Sequence, residues 1–136
     1  MFNTPGYSSN GAQGSVWDYY NEVSYGNLDL QTTVTVWVTL PRTAAFYGTN
    51  ETTYTWIDGE YIAPAQLMVR EAIQALDASG FNFAPFDTDS NGYVDAFAVI
   101  HQGRGEEAGG GASTIWSHKW VVPGGVTVDG VTIYTY

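Results

Sequence analysis

The chain has 136 residues, 44 % of them hydrophobic, with five Trp, ten Tyr and six Phe, so it can bury a core and disorder is excluded. Fourteen acids face only Arg42, Arg70, Arg104 and Lys119, and the resulting formal charge of −10 repels phosphate backbones and argues against a nucleic-acid partner. The absence of cysteine removes disulfides and thiolate sites, and no run of 18 apolar residues reads as a membrane span.

Residues 1–14 hold four Gly or Pro breaks and read as loop. Ser15 with Asp18 three residues on then offers a capping pair ahead of Val16, Trp17, Tyr19, Tyr20 and Val23, with Gly26 as a stop, which predicts a short aromatic-faced helix. From Leu28 the period changes to two. Leu28, Leu30, Val34, Val36, Val38 and Leu40 point one way and Asp29, Gln31, Thr33, Thr35 and Thr39 the other, closed by Pro41, which predicts a long half-exposed strand. Trp37 breaks that alternation, and its expected role is a covered core or rim aromatic rather than a ligand contact. Residues 42–62 read as irregular, Ala44–Gly48 being too short to assign; Asn50, Glu51 and Thr52 form a glycosylation-type triplet that means little without a known secretory host. Pro64 opens a helix whose apolar face is Met68, Val69, Ala72, Ile73 and Leu76 and whose polar face is Arg70, Glu71, Gln74 and Asp77, ending at Gly80.

Phe86 to Gly105 carries the chemistry. Asp87, Asp89, Asn91, Tyr93 and Asp95 occupy positions 1, 3, 5, 7 and 9 of a calcium-type loop, the fourth through its carbonyl, and Gly92 sits where such a loop turns sharply. Position 12 is Ala98, so the bidentate carboxylate of the helix-loop-helix version is missing. An Asp/Asn/Gly turn with no ion accounts for the same residues. Tyr93 to His101, apolar on both faces past Asp95, reads as a buried strand. The glycine-rich run His101 to Ser113 suits the rim of a binding cleft but lacks the lysine and hydroxyl of a phosphate loop. Thr114 to Val122 reads as a further strand with Trp116, His118 and Trp120 on one face, and Asp129-Gly130 marks a hairpin between Val126–Val128 and Val131–Tyr134.

His101 and His118 are the two side chains that titrate near neutrality. Neither His-x-x-x-His spacing nor cysteine accompanies them, so a hydrogen-bonded structural role is expected rather than zinc. No Gly-x-Ser-x-Gly supports a serine triad; Glu106 and Glu107, on a flexible loop, are poor general acids, and completing a calcium shell or capping the loop suits one of them better.

The segments GSVWDYYNEVSYGNLDL (Gly14 to Leu30), VTVWVTLP (Val34 to Pro41), FDTDSNGYVDAFAVIHQGRGEEAGGG (Phe86 to Gly111) and IWSHKW (Ile115 to Trp120) resemble, in order and spacing, the secreted metallopeptidases related to immune inhibitor A. That resemblance implies an extracellular zinc endopeptidase acting on proteins or peptides, with an α+β, zincin-like catalytic domain of mixed, mostly antiparallel sheet and two helices, a His-Glu-x-x-His zinc helix, and calcium-dependent stability. No His-Glu-x-x-His occurs between Met1 and Tyr136, so nothing is carried over as catalytic and zinc belongs to the intact parent domain. Both ends read as cut, and no charged-then-apolar leader opens the chain. The expectation is therefore a single domain, 1–136, forming an incomplete N-terminal portion of the catalytic domain. It carries substrate-side strands and the calcium loop Asp87, Asp89, Asn91, Tyr93 and Asp95, needs the remainder of the domain, and is inactive alone. The alternative from another class is a non-enzymatic, calcium-stabilised extracellular module binding peptide or glycan through Trp37, Trp116 and Trp120.

Overall fold

The computed structural model describes residues 1–49 and 52–136, so Asn50 and Glu51 of the glycosylation-type triplet lie outside the described residues. Contacts divide the chain into two compact units, Met1–Trp37 and Val38–Tyr136.

The first unit is built on α1 (Val16–Val23). Its predicted cap is present in both directions: the Asp18 N–H donates to Ser15 Oγ at 3.1 Å and the Ser15 N–H donates to Asp18 Oδ2 at 2.6 Å. The same carboxylate accepts the Gly6 N–H at 2.8 Å, which ties the leading loop to the helix start. Tyr25 (φ 55°) and Gly26 (φ 76°) end the helix in left-handed geometry. Beyond it, Trp17 Nε1 donates to Asp29 at 2.6 Å, and the Asn3 amide brackets Thr32, donating to its C=O at 2.5 Å and accepting its N–H at 3.0 Å.

The strand expected over residues 28–40 does not form. No ladder pairs with it among the described residues, and Trp37 is exposed rather than covered. Alternation gives a chain two faces, but a strand also needs a neighbour to take its N–H and C=O groups.

The second unit packs a hairpin and a short helix against its main helix. Residues 42–62, expected to be irregular, contain α2 (Ala44–Gly48), capped by Thr43, and a hairpin of β1 (Thr55–Ile57) and β2 (Glu60–Ile62). Asp58 (φ 52°) and Gly59 (φ 86°) turn it, a second Asp-Gly hairpin like the one recognised at 129–130. The main helix, α3 (Pro64–Ala78), starts at Pro64 as predicted and buries Leu67, Met68, Val69, Ala72, Ile73 and Leu76. The hairpin of β3 (Val121–Val128) and β4 (Val131–Thr135) turns at Asp129-Gly130 with Val128 opposite Val131. Tyr47, Met68, Val69, Ile73, Leu76, Phe83, Val94, Ile115, Val122, Val131 and Ile133 form the core, with Val38, Leu40, Phe97 and Val99 packed partly against it.

Polar groups fasten this unit. Gln66, fully buried, accepts the Ala63 N–H at 3.2 Å and donates to Tyr54 Oη at 2.9 Å and the Val121 carbonyl at 2.8 Å, joining α3 to both hairpins. Arg42 pairs with Glu71 and Asp58 while Tyr47 donates to Glu71; burial, reinforced by that bond, pushes the Tyr47 phenol up to about 12. Rings run in file from one hairpin to the other: Trp56–Tyr61 (5.8 Å), Tyr61–Tyr54 (5.5 Å), Tyr54–Trp120 (5.6 Å), Trp120–His118 (6.1 Å) and His118–Tyr136 (5.4 Å).

Two further expectations are corrected. Residues 93–101 are not a strand buried on both faces: Val94 is buried, Tyr93 and Ile100 are exposed, and one parallel bridge, Tyr93 to Thr132, is all the pairing they make among the described residues. The strand expected from Thr114 begins at Val121, preceded only by the reciprocal bonds between the Trp120 and Tyr136 backbones at 3.0 Å. The class is α+β as expected, with three α-helices among the described residues where two were expected, and with the antiparallel pairing there split into two small sheets.

Candidate metal centre

The acidic loop leaves the short 3₁₀ turn Ala84–Phe86 and closes on itself through its own backbone. Asp87 accepts the Asn91 N–H and the Gly92 N–H, each at 2.9 Å. Asp89 accepts the Asn91 N–H at 3.2 Å and the Asn91 amide at 2.9 Å, while Asn91 Oδ1 accepts the Tyr93 N–H at 2.8 Å. Asp95 returns to the start of the loop, accepting from both the N–H and the hydroxyl of Thr88. Ser90 (φ 58°) and Gly92 (φ 86°) supply the left-handed steps that turn so many N–H groups inward.

This wrapping brings one oxygen each of Asp87, Asp89 and Asp95 within 4.8 Å of one another, the one group of three or more metal-ligating side chains among the described residues. Two ligand oxygens on opposite sides of a single calcium ion lie about 4.6–5.2 Å apart, so the spacing suits one hard cation. Without one, each carboxylate pair at that distance repels by about 1 kcal/mol even in water. Asn91 stands beside the triad, bonded to Asp89. Beside Tyr93, the Thr132 N–H donates to the Gly92 carbonyl (2.8 Å) and the Thr132 carbonyl accepts the Val94 N–H (3.1 Å), the pattern that leaves the N–H and C=O of Tyr93 directed away from β4, toward the side where its N–H meets Asn91. The five expected residues are therefore contiguous in space. Sequence reasoning missed Thr88, whose hydroxyl holds Asp95, and Thr132, which belongs to no local motif.

The donor set does not fit zinc. It is all oxygen, whereas zinc sites draw on imidazole or thiolate in tetrahedral array. His118 lies in the ring file, with Nδ1 donating to the Trp116 carbonyl at 2.6 Å and Nε2 hydrogen-bonded to Tyr136 Oη at 3.1 Å. Burial raises the Tyr136 phenol well above its ordinary value. His101 bonds through Nδ1 to the Gln102 carbonyl at 3.0 Å. Glu107 accepts from Ser117, at 2.6 Å from the hydroxyl and 3.2 Å from the N–H, and those bonds hold its carboxyl below the ordinary range. It fastens the glycine-rich loop to the segment that follows.

The second unit is thus an α+β unit with an oxygen-lined acidic loop beside its main hairpin. The profile of the immune inhibitor A peptidase M6 catalytic domain matches residues 1–134, and the chain belongs to that family. It is 36 % identical over 120 residues to immune inhibitor A of Bacillus thuringiensis subsp. alesti, covering 76 % of this chain and 17 % of that protein. It is 27 % identical over 139 residues to the pre-pro-metalloprotease PrtV of Vibrio cholerae serotype O1 (strain M66-2), covering 88 % of this chain and 15 % of that protein. The chain thus spans about a sixth of the length of these relatives. No solved structure matches it at a significant level. No helix among the described residues is long and apolar enough to cross a membrane.

Proposed function

We propose that these 136 residues are a calcium-stabilised portion of the catalytic domain of a secreted, zinc-dependent endopeptidase, and that they do not hydrolyse peptides by themselves. The gathering of Asp87, Asp89 and Asp95 within 4.8 Å carries the calcium part of the reading. In it, Asp87, Asp89, Asn91 and Asp95 ligate through side chains and Tyr93 through its carbonyl. The ion acts on structure: it neutralises the triad and, through Gly92, Tyr93 and Val94, fixes the loop on β4 and so on the core. Inactivity follows from the donor sets present, because no His-Glu-x-x-His occurs in the sequence and the residues here do not make a zinc site. Protein substrates, and the partner residues completing the site, belong to the longer polypeptide.

Thermal unfolding with calcium and with chelator, for the wild type and for Asp89→Ala, tests the loop. Calcium at about 100 times its Kd adds about 2.7 kcal/mol, so the wild-type midpoint should rise by several degrees while the variant's stays put. Equal midpoints in all four samples remove the ion from the account. Casein digestion by the purified, zinc-supplemented chain above background would overturn the claim of inactivity.

A further inference from the structure

We propose that Asn91–Gly92 is a gated modification site, at which the closed acidic loop holds off conversion of Asn91 to aspartate or isoaspartate and any opening of the loop lets it proceed. The tripeptide Ser-Asn-Gly occurs twice, as Ser9-Asn10-Gly11 and Ser90-Asn91-Gly92, so one reactive sequence stands in two settings. The reaction needs only water. The Gly N–H gives its proton to hydroxide, the nitrogen bonds to the Asn Cγ, and the Cγ–Nδ2 bond breaks to release ammonia and leave a cyclic imide. Water then opens that ring at one carbonyl or the other, which gives aspartate or its β-linked isomer. Glycine favours the closure because no Cβ obstructs the nitrogen and its backbone turns freely.

In the acidic loop every group that must react is engaged. The Gly92 N–H donates to one oxygen of Asp87 and the Asn91 N–H to the other, each at 2.9 Å. A carboxylate bonded to the Gly92 N–H favours its protonated form and repels the amide anion that attacks. The Asn91 side chain is fixed at both ends, donating from Nδ2 to Asp89 at 2.9 Å and accepting the Tyr93 N–H on Oδ1 at 2.8 Å, so its carbon is held from closing on Gly92 while those bonds last. The Gly92 carbonyl is in turn held by the Thr132 N–H at 2.8 Å. Asn10 has none of this. It is exposed in a single 3₁₀ turn, Ser9–Gly11, at φ 58°, and its amide makes no hydrogen bond among the described residues. One short turn opens at little cost, so Asn10 is the reference for the unhindered reaction in the same molecule. At Asn91 the rate is scaled by the fraction of loop open, and three bonds, two of them to carboxylates, keep that fraction small.

The test is to incubate the purified chain at mildly alkaline pH, with chelator present so that the result does not turn on a bound ion, and to follow both sites by peptide mapping, each conversion adding one negative charge. Asn91 should convert about tenfold more slowly than Asn10, or slower still. In urea, where the shared tripeptide is all that remains, the two rates should agree. Asp87→Ala, which removes both backbone acceptors, should bring Asn91 close to the rate of Asn10 and leave Asn10 unchanged, and Asp89→Ala, which frees the side-chain amide, should accelerate Asn91 in part. If Asp87→Ala loses its helical signal, Asp89→Ala decides. Asn91 converting as fast as Asn10 in the folded chain, a gap between them that persists in urea, or a variant that stays folded without accelerating Asn91 overturns the proposal.

Discussion

Single atoms decide several local outcomes. A Cβ on Gly48 would stand 2.5–2.7 Å from the Ser113 carbonyl and Thr114 Cα, backbone that cannot swing aside. Gly48→Ala should therefore destabilise by about 1–3 kcal/mol, read as a lower denaturation midpoint with unchanged m-value, and an unaffected midpoint would mean the two segments separate at no cost. Asp18 makes a different kind of case. Its bonds from Ser15, chiefly the backbone one, hold its carboxyl below the ordinary 3.8, so the folded chain binds that proton less readily than the unfolded chain. The stabilisation is complete above pH 3.8 and is lost as pH falls through the lower, folded value. Amide exchange at Ser15 should accelerate relative to α3 over that acid range, and Asp18→Asn should remove the difference. Parallel behaviour of the two helices in both proteins would show that the cap does not govern α1.

At the scale of elements, the turn at 129–130 couples two structures. Asp129 and Gly130 take the left-handed geometry of a two-residue hairpin, and the Asp129 carboxylate accepts the Phe83 N–H at 2.9 Å. Gly130→Ala, at φ 82°, should cost about 1–2 kcal/mol, measured by urea denaturation. A neutral result would mean the turn relaxes to another type. The elements legible in the sequence are those whose information is local: the Ser15–Asp18 cap, the spacing of Met68 to Leu76, and Asp129-Gly130. Asp58-Gly59 carried the same hairpin signal but lay between strands of three residues, too short for alternation to stand out. Residues 28–40 and 93–101 failed for the opposite reason. Their apolar patterns are strong, yet pairing is a property of two segments, and periodicity reports only one. The loop's oxygen spacing was legible by position, while its attachment through Thr132 was not, because residues 40 apart share no pattern.

For the molecule as a whole, charge sets the conditions under which the ion is read. Arg42 and Arg70 are engaged with Asp58, Glu71 and Glu60, so the other eleven of the fourteen acids face only Arg104 and Lys119. Any salt relieves part of that repulsion by screening. Calcium bound at Asp87, Asp89 and Asp95 should therefore raise the unfolding midpoint beyond sodium chloride of equal ionic strength. A gain matched by sodium chloride would be screening alone.

The file of rings from Trp56 through Tyr54, Trp120 and His118 to Tyr136 gives the second unit an optical signature. Rings held 5–6 Å apart at fixed tilts sit in asymmetric surroundings, so the docking of the two hairpins should be written in the near-ultraviolet circular dichroism. That band vanishes when packing loosens while helices persist. The far-ultraviolet signal, dominated by α3, would hardly notice the hairpins parting. Near-ultraviolet dichroism is thus the observable that tells a folded chain from a collapsed one.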